Sequence, residues 1–279
     1  MSHKRDIWVN HVQLRNIIIE KPNVKIFEVG FNTYHEFVES HIPGAMFLDT
    51  CYFEQPPLWK IVGLPEIYQT FKKFRITPSS TVILYGRQVA AAARVAHIML
   101  YAGLSDIRLL DGDYAGYKQS NLPTESGGHN LKDVAMEGVV AFIANRSLVC
   151  DKSIAKSLLE ERNASLVSVR SPKEVNGRCS GYSYIKQKGD IIGAKWGHAG
   201  TSAYLMEDYF GPDNYILPLE HIERLWESEG ILKHHKVAFY CGTAWRASVA
   251  FLCAYSLGWK DICVYDGGWL DWIQEECSK

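Results

Sequence analysis

The pattern of hydrophobic and polar positions in this chain occurs twice. From Val82, "VILYGRQVAAAARVAHIMLYAGLSDIRLLDGDYAGY" runs through an apolar stretch, a polar break, a small-residue stretch and a second apolar stretch. From Val237, "VAFYCGTAWRASVAFLCAYSLGWKDICVYDGGWLDW" repeats it without a gap at an offset of 155. Gly103 meets Gly258, Asp106 meets Asp261, Asp111-Gly112 meets Asp266-Gly267, and Tyr114 meets Trp269. Further upstream, "WVNHVQLRNIIIEKPNVKIFEV" matches "LVCDKSIAKSLLEERNASLVSV" at an offset of 140. Gly44 of "HIPGAMF" meets Gly193 of "DIIGAKW" at an offset of 149, so the second copy carries about nine extra residues before Gly193 and about six after it. Self-similarity at a fixed offset marks an internal duplication.

Each copy predicts the same elements. Short apolar runs bounded by turn residues give strands at Ile26–Val29 and Leu166–Val169, and a second short strand after each "GA". Amphipathic spacing gives helices at Glu66–Phe74 and Glu220–Glu229. Buried strands follow at Val82–Tyr85 and Val237–Tyr240, then a loop, a small-residue helix, another strand and a final aromatic helix. Strands alternating with helices predict an α/β fold with a parallel sheet in each copy, flanked by helices. Between the copies, "SNLPTESGGHNLKD" has the composition of a linker. The expected domains are 1–120 and 135–279, joined by 121–134.

Composition adds exclusions. The 279 residues are 47% hydrophobic and 22% charged, which is globular and long enough for two domains. Net charge is -1, from 30 basic and 31 acidic residues, so neither a nucleic-acid footprint nor a polybasic membrane anchor is expected. The first residues, "MSHKRDIWVNHVQL", carry no apolar signal core, and the most apolar stretch is interrupted by Arg94 and His97. Seven cysteines without a C-x-x-C pair or metal-like cluster fit free thiols in a reducing cytoplasm and no metal site. A monomer is expected.

Cys241 stands out because it ends a predicted buried strand just before a helix, where open α/β sheets place their ligand sites. A loop curling onto a helix N-terminus points backbone N–H groups at one spot and favours a thiolate. The nucleophilic reading competes with a small buried hydrophobe, the reading that suits Cys253 and Cys263 in apolar segments. Cys179 lies in the nine-residue insertion, and Cys277 near the end reads as a surface thiol. The equivalent of Cys241 in the first copy is Gly86. Arg246 follows Cys241 with C-x4-R spacing, and the residue six beyond the cysteine is Ala247. That spacing argues against C-x5-R phosphatase or arsenate reductase chemistry, which needs a wider cradle.

The duplicated α/β pattern, "HIPGA" in the first copy, Cys241-Gly242-Thr243-Ala244-Trp245-Arg246 in the second, "GYSYIKQKGDIIGAKWGHAG" and "YDGGWLDW" together resemble tandem-domain rhodaneses, sulfurtransferases of the thiosulfate or 3-mercaptopyruvate type. The resemblance implies two rhodanese-like domains, of which only the second is catalytic. It implies a Cys241 persulfide formed by double displacement and held by the loop N–H groups from Gly242 through Thr243, Ala244, Trp245 and Arg246 to Ala247. The donor would be thiosulfate or 3-mercaptopyruvate, and the acceptor cyanide or a thiol, with no cofactor. A rhodanese-like docking or regulatory module and a dedicated persulfide carrier are the alternatives.

Arg178, Lys186 and Lys188, present only in the catalytic copy, are candidate donor-binding residues, and Trp196 and His198 follow them. Arg246 reads either as a donor ligand or as a structural ion-pair partner. Two positions depart from the family pattern. Ala244 stands where glycine is usual, at a cost of about 1–2 kcal/mol if its φ is positive. Ser168 replaces an aspartate that commonly fixes the neighbouring arginine, here Arg170, which is therefore expected to be looser.

Overall fold

The computed structural model describes residues 6–128 and 141–274. The chain forms two compact units. The first comprises Asp6–Gln55 and Ile61–Arg146. The second begins at Ser147 and also takes in Pro56–Lys60, a short segment from the first repeat. The expected linker, 121–134, lies partly outside the described residues.

The first unit is built from β1 (Trp8–Val9), α1 (His11–Glu20), β2 (Val24–Gly30), α2 (Tyr34–Glu39), β3 (Met46–Asp49), α3 (Leu64–Lys73), β4 (Thr81–Gly86), α4 (Val89–Tyr101), β5 (Ile107–Leu110) and α5 (Asp113–Gln119). The second follows the same order with β6 (Val149–Cys150), α6 (Lys152–Glu160), β7 (Ala164–Ser168), α7 (Pro172–Val175), β8 (Lys195–Trp196), α8 (Leu219–Ser228), β9 (Lys236–Tyr240), α9 (Trp245–Ser256), β10 (Ile262–Tyr265) and α10 (Gly268–Trp272). The sheets are five-stranded and parallel, with strand order β1-β5-β4-β2-β3 in one and β6-β10-β9-β7-β8 in the other. The two orders are the same, as a duplication requires.

The central strands explain the continuous apolar runs. β4 is buried at every position, and β9 at every position after Lys236. A parallel strand covered by helices on both faces has no polar side to display. The helices that follow, α4 and α9, are buried almost all round, which accounts for their small apolar residues. Each unit has its own core. Ile26, Phe37, Ile83, Tyr85 and Tyr114 pack in the first. Leu166, Ala238, Tyr240, Tyr265 and Trp269 pack in the second, with Leu58 and Trp59 of the Pro56–Lys60 segment against them.

The predicted elements agree with the observed ones to within a few residues. The strands after "GA" are β3 and β8. The opening strand and helix of each copy were not foreseen. β1 and β6 are two residues long, too short for a periodicity signal. Their helices did carry a cap signature. Asn10 and Gln13 form a capping box on α1, and Asp151 caps α6. Among the described residues no helix is long and apolar enough to cross a membrane.

The paired glycines repeat their backbone geometry. Gly103 and Gly258 have φ of 100° and 76°, a region that favours glycine. A side chain at Gly103 would also place its Cβ 2.3 Å from the carbonyl oxygen of Ile143. Gly103→Ala is therefore expected to destabilise the first unit by about 2 kcal/mol or more, through left-handed strain plus a backbone clash, as read by urea unfolding.

Candidate active site around Cys241

β9 ends at Tyr240, and Cys241 to Ala244 turn the chain into α9. Cys241, Ala244 and Ala247 are fully buried, and Thr243 nearly so. Ala244 does adopt a left-handed conformation, with φ of 77° at the helix N-cap. Its methyl therefore sits in the strained geometry anticipated above, at about 1–2 kcal/mol. The backbone N–H groups of Gly242, Thr243, Ala244, Arg246 and Ala247 have no acceptor among the described residues. Unmatched N–H groups are what a helix N-terminus leaves by construction, and they make an anion-binding concavity.

The loop is held from two sides. α10 donates from Trp269 N–H to the Cys241 carbonyl at 2.8 Å and from Leu270 N–H to the Gly242 carbonyl at 3.1 Å. This approach needs Gly268, where an added Cβ would lie 2.4 Å from the Cys241 oxygen. On the other side Tyr182 lies against Gly242, where a Cβ would meet the tyrosine ring at 2.1 Å. Gly242 and Gly268 are thus close-approach glycines.

Arg246 leaves the first turn of α9 and is buried. Its Nη1 and Nη2 donate to the two carboxylate oxygens of Glu174 at 2.9 Å each, and Nη2 also donates to the Tyr182 hydroxyl at 3.0 Å. Its Nε is buried without a hydrogen-bond partner among the described residues. Glu174 also accepts from Ser171 N–H, Ser171 Oγ and Arg170 Nε. Burial alone would raise this carboxyl. The hydrogen bonds and charge of Arg246, helped by Ser171 and Arg170, outweigh burial and hold it at about 2. Burial would lower the Arg246 guanidinium, but Tyr182, the hydrogen-bonded Glu174 carboxylate and Cys241 outweigh it and hold the group above its ordinary range.

Arg170 is not loosened by Ser168, contrary to expectation. It is fully buried, donating to Glu174, to Asp190 at 3.1 Å, and to the carbonyls of Gly189 and Ser180. Asp190, from the insertion, supplies the carboxylate that Ser168 lacks, and it also accepts from Tyr240 Oη at 2.7 Å. Sequence reasoning missed Glu174 altogether. Its signal was Ser171-Pro-Lys-Glu174, which forms a capping box at the start of α7.

Arg178, Lys186 and Lys188 are exposed and form no ion pair among the described residues. The acids behave in the opposite way, since Glu174 of α7 and Asp190 of the insertion are consumed internally by Arg170 and Arg246. The segment that follows α7 therefore presents three exposed cations without an ion pair among the described residues. Trp196 donates from Nε1 to the Arg170 carbonyl and stacks on His198 with ring centroids 3.9 Å apart. Both therefore have packing roles. Among the other thiols, Cys253 and Cys263 lie in α9 and β10. Burial and the neighbouring Asp49 push exposed Cys51 up to about 11, which keeps it a thiol. Cys277 lies outside the described residues. Among the described residues no cluster of side chains could hold a metal ion.

The equivalent place in the first unit is closed. A Cβ on Gly86 would lie 3.0 Å from the carbonyl oxygens of both Gln88 and Val29. Arg87 stands where the second copy has Gly242. It donates to Glu28 Oε1 at 2.8 Å and to the carbonyls of Glu36 and Ser40.

Replacing Glu174 by glutamine would leave the buried Arg246 guanidinium without its carboxylate and Arg170 with Asp190 alone. Glu174→Gln is expected to cost about 3–5 kcal/mol in denaturant unfolding. In the native protein, a carboxyl depressed on folding stabilises fully above its ordinary value of 4.5 and loses that stabilisation as pH falls toward about 2. The acid-unfolding midpoint should therefore lie in that window and move upward in the variant.

The rhodanese-like domain pattern matches residues 11–120 and 151–275. The chain is 43% identical over 270 residues to thiosulfate sulfurtransferase YnjE of Escherichia coli, covering 96% of this chain and 62% of that protein. It is 27% identical to the sulfur carrier protein TtuD of Thermus thermophilus, over 91% of this chain and 89% of the relative. The crystal structure of YnjE superposes with a TM-score of 0.90 over 95% of this chain and 66% of that one, at 42% identity. The structure of an EanB variant with ergothioneine superposes with a TM-score of 0.90 at 31% identity, over 95% of this chain and 67% of that chain. This chain thus spans about three-fifths of the Escherichia coli relative. The matched pattern, occurring once in each repeat, places the chain in the rhodanese-like domain family.

Proposed function

We propose that this protein is a sulfurtransferase that moves a sulfur atom, from the S–S bond of thiosulfate or the C–S bond of 3-mercaptopyruvate, to a thiophilic acceptor through a Cys241 persulfide. The observation that carries the reading is the buried thiol at the end of β9, followed by the N–H groups of Gly242, Thr243, Ala244, Arg246 and Ala247, which have no acceptor among the described residues. The Cys241 thiolate attacks the outer sulfur of thiosulfate. A sulfur–sulfur bond forms to Sγ, and the donor's own sulfur–sulfur bond breaks, its electron pair leaving with sulfite. The loop N–H groups and the α9 dipole stabilise the resulting persulfide anion. An acceptor nucleophile, cyanide or a thiol, then takes the outer sulfur and returns the thiolate. The kinetics are ping-pong.

Arg178, Lys186 and Lys188 attract the anionic donor in this reading, while Arg246 is taken up mainly in fixing the loop through Glu174. The relatives named for thiosulfate and for 3-mercaptopyruvate support both donors, the human 3-mercaptopyruvate sulfurtransferase being 25% identical over 88% of this chain. A persulfide carrier would use the same thiol and differ only in its acceptor. The likeness to the sulfur carrier protein TtuD favours keeping that second reading.

Incubation with each donor, followed by intact mass, tests the proposal. One added sulfur is expected, removed by cyanide and absent in Cys241→Ser. No added sulfur from either donor to folded, reduced protein would overturn it. Gly86→Cys in the Cys241→Ser background is expected to load none, because the first-unit site is closed by two carbonyls and Arg87. Loading there would contradict that account of the closed site.

A further inference from the structure

Lys60 stands in the first repeat, yet the Pro56–Lys60 segment belongs to the second unit. Leu58 and Trp59 pack on that unit's core, and Lys60 Nζ lies 2.7 Å from Asp271 Oδ1. Asp271 sits in α10, and its side chain is only 10% exposed, so the ion pair is well shielded on the acid's side. Three further contacts fix Asp271. Its Oδ2 accepts from the Tyr265 hydroxyl at 2.9 Å, its carbonyl accepts from Lys152 Nζ at 2.9 Å, and its N–H donates to the Gly267 carbonyl at 3.1 Å. Lys60 also lies along Gly267, where an added Cβ would fall 2.7 Å from the lysine Cε.

This cluster borders the catalytic loop. The helix turn that Asp271 anchors is the one whose Trp269 and Leu270 N–H groups hold the carbonyls of Cys241 and Gly242. Gly268, next to Gly267, is the residue against the Cys241 oxygen. The first repeat keeps the backbone bond, from Gly116 N–H to the Gly112 carbonyl at 2.8 Å, but lacks the side chains of the anchor. At the aligned positions it has Gly116 for Asp271, Leu110 for Tyr265 and Val12 for Lys152, and it has Gly86 for Cys241. The side-chain anchor therefore exists only in the copy that has a thiol to position.

We infer that Lys60 is a positioning residue for the Cys241 loop, contributed by the non-catalytic repeat and acting through Asp271 and the first turn of α10. Its kinetic consequence rests on the sulfurtransferase reading given above. A residue that places the nucleophile affects the chemical step, whereas a residue that binds the donor affects its affinity. Lys60 is half-exposed and carries a charge, so donor binding is the competing role that the test must separate.

The experiment compares full-length wild type, Lys60→Met, Lys60→Arg and Asp271→Asn. Thiosulfate-to-cyanide transfer gives kcat and KM for each, and Cys241 alkylation by iodoacetamide is followed by mass. Lys60→Met is expected to lower kcat about tenfold with KM changed less than about twofold, and to change the Cys241 alkylation rate by several-fold. Lys60→Arg should recover most of the loss. Asp271→Asn should reproduce it, and adding Lys60→Met to Asp271→Asn should add little. Wild-type kcat and alkylation in Lys60→Met, or a change confined to KM, would overturn the inference. So would a double variant whose losses multiply. If Lys60→Met does not fold, Lys60→Gln and Asp271→Asn carry the same comparison. If wild type transfers no sulfur, the functional reading fails, and the alkylation series still decides whether Lys60 positions the thiol.

Discussion

One carboxylate between two buried guanidiniums organises the second unit. Glu174 joins Arg170, just beyond β7, to Arg246 in the first turn of α9. A full charge buried without compensation is unfavourable by several kcal/mol, so the three groups must stay together or the region unfolds. Their union fixes the insertion that follows α7, because Arg170 also takes the carbonyls of Ser180 and Gly189 and the carboxylate of Asp190. It fixes the start of α9 and with it the loop that carries Cys241. Tyr182, bonded to Arg246, then lies on Gly242 and closes the loop from outside.

The duplication shows what a thiol site demands, because one copy has kept it and the other has filled it. Both copies share strand order and left-handed glycines at corresponding turns. In the first, Arg87 occupies the place of Gly242 and satisfies itself on Glu28 and the carbonyls of Glu36 and Ser40, and two carbonyls crowd the place a side chain at Gly86 would take. In the second, two glycines admit α10 and Tyr182, while the N–H groups of Gly242, Thr243 and Ala244 have no acceptor among the described residues. The difference is one of space and hydrogen-bond supply as much as of the missing sulfur.

The sequence made the local features legible. The gap-free repeat exposed the strand–loop–helix seam, and Cys241 against Gly86 identified the place where the copies diverge. The positive φ of Ala244 was foreseeable from the family resemblance, in which glycine is usual at this position. What stayed hidden was non-local. Nothing within a few residues of Glu174 indicates that Arg246, 72 positions later, will meet it. The expectation for Arg170 failed for the same reason: Asp190 replaces the absent aspartate from another part of the chain. The transfer of Pro56–Lys60 to the second unit lies further still beyond any periodicity argument. Two-residue edge strands such as β1 and β6 carry too little pattern to detect.

The central claim is that the seam between β9 and α9 is a cradle for a second sulfur. A crystal structure of the thiosulfate-treated protein tests it most directly. The account expects extra density on Cys241 Sγ, with the outer sulfur in hydrogen-bonding reach of several N–H groups between Gly242 and Ala247. An outer sulfur turned away from those groups, or sulfur carried by another cysteine, would contradict it.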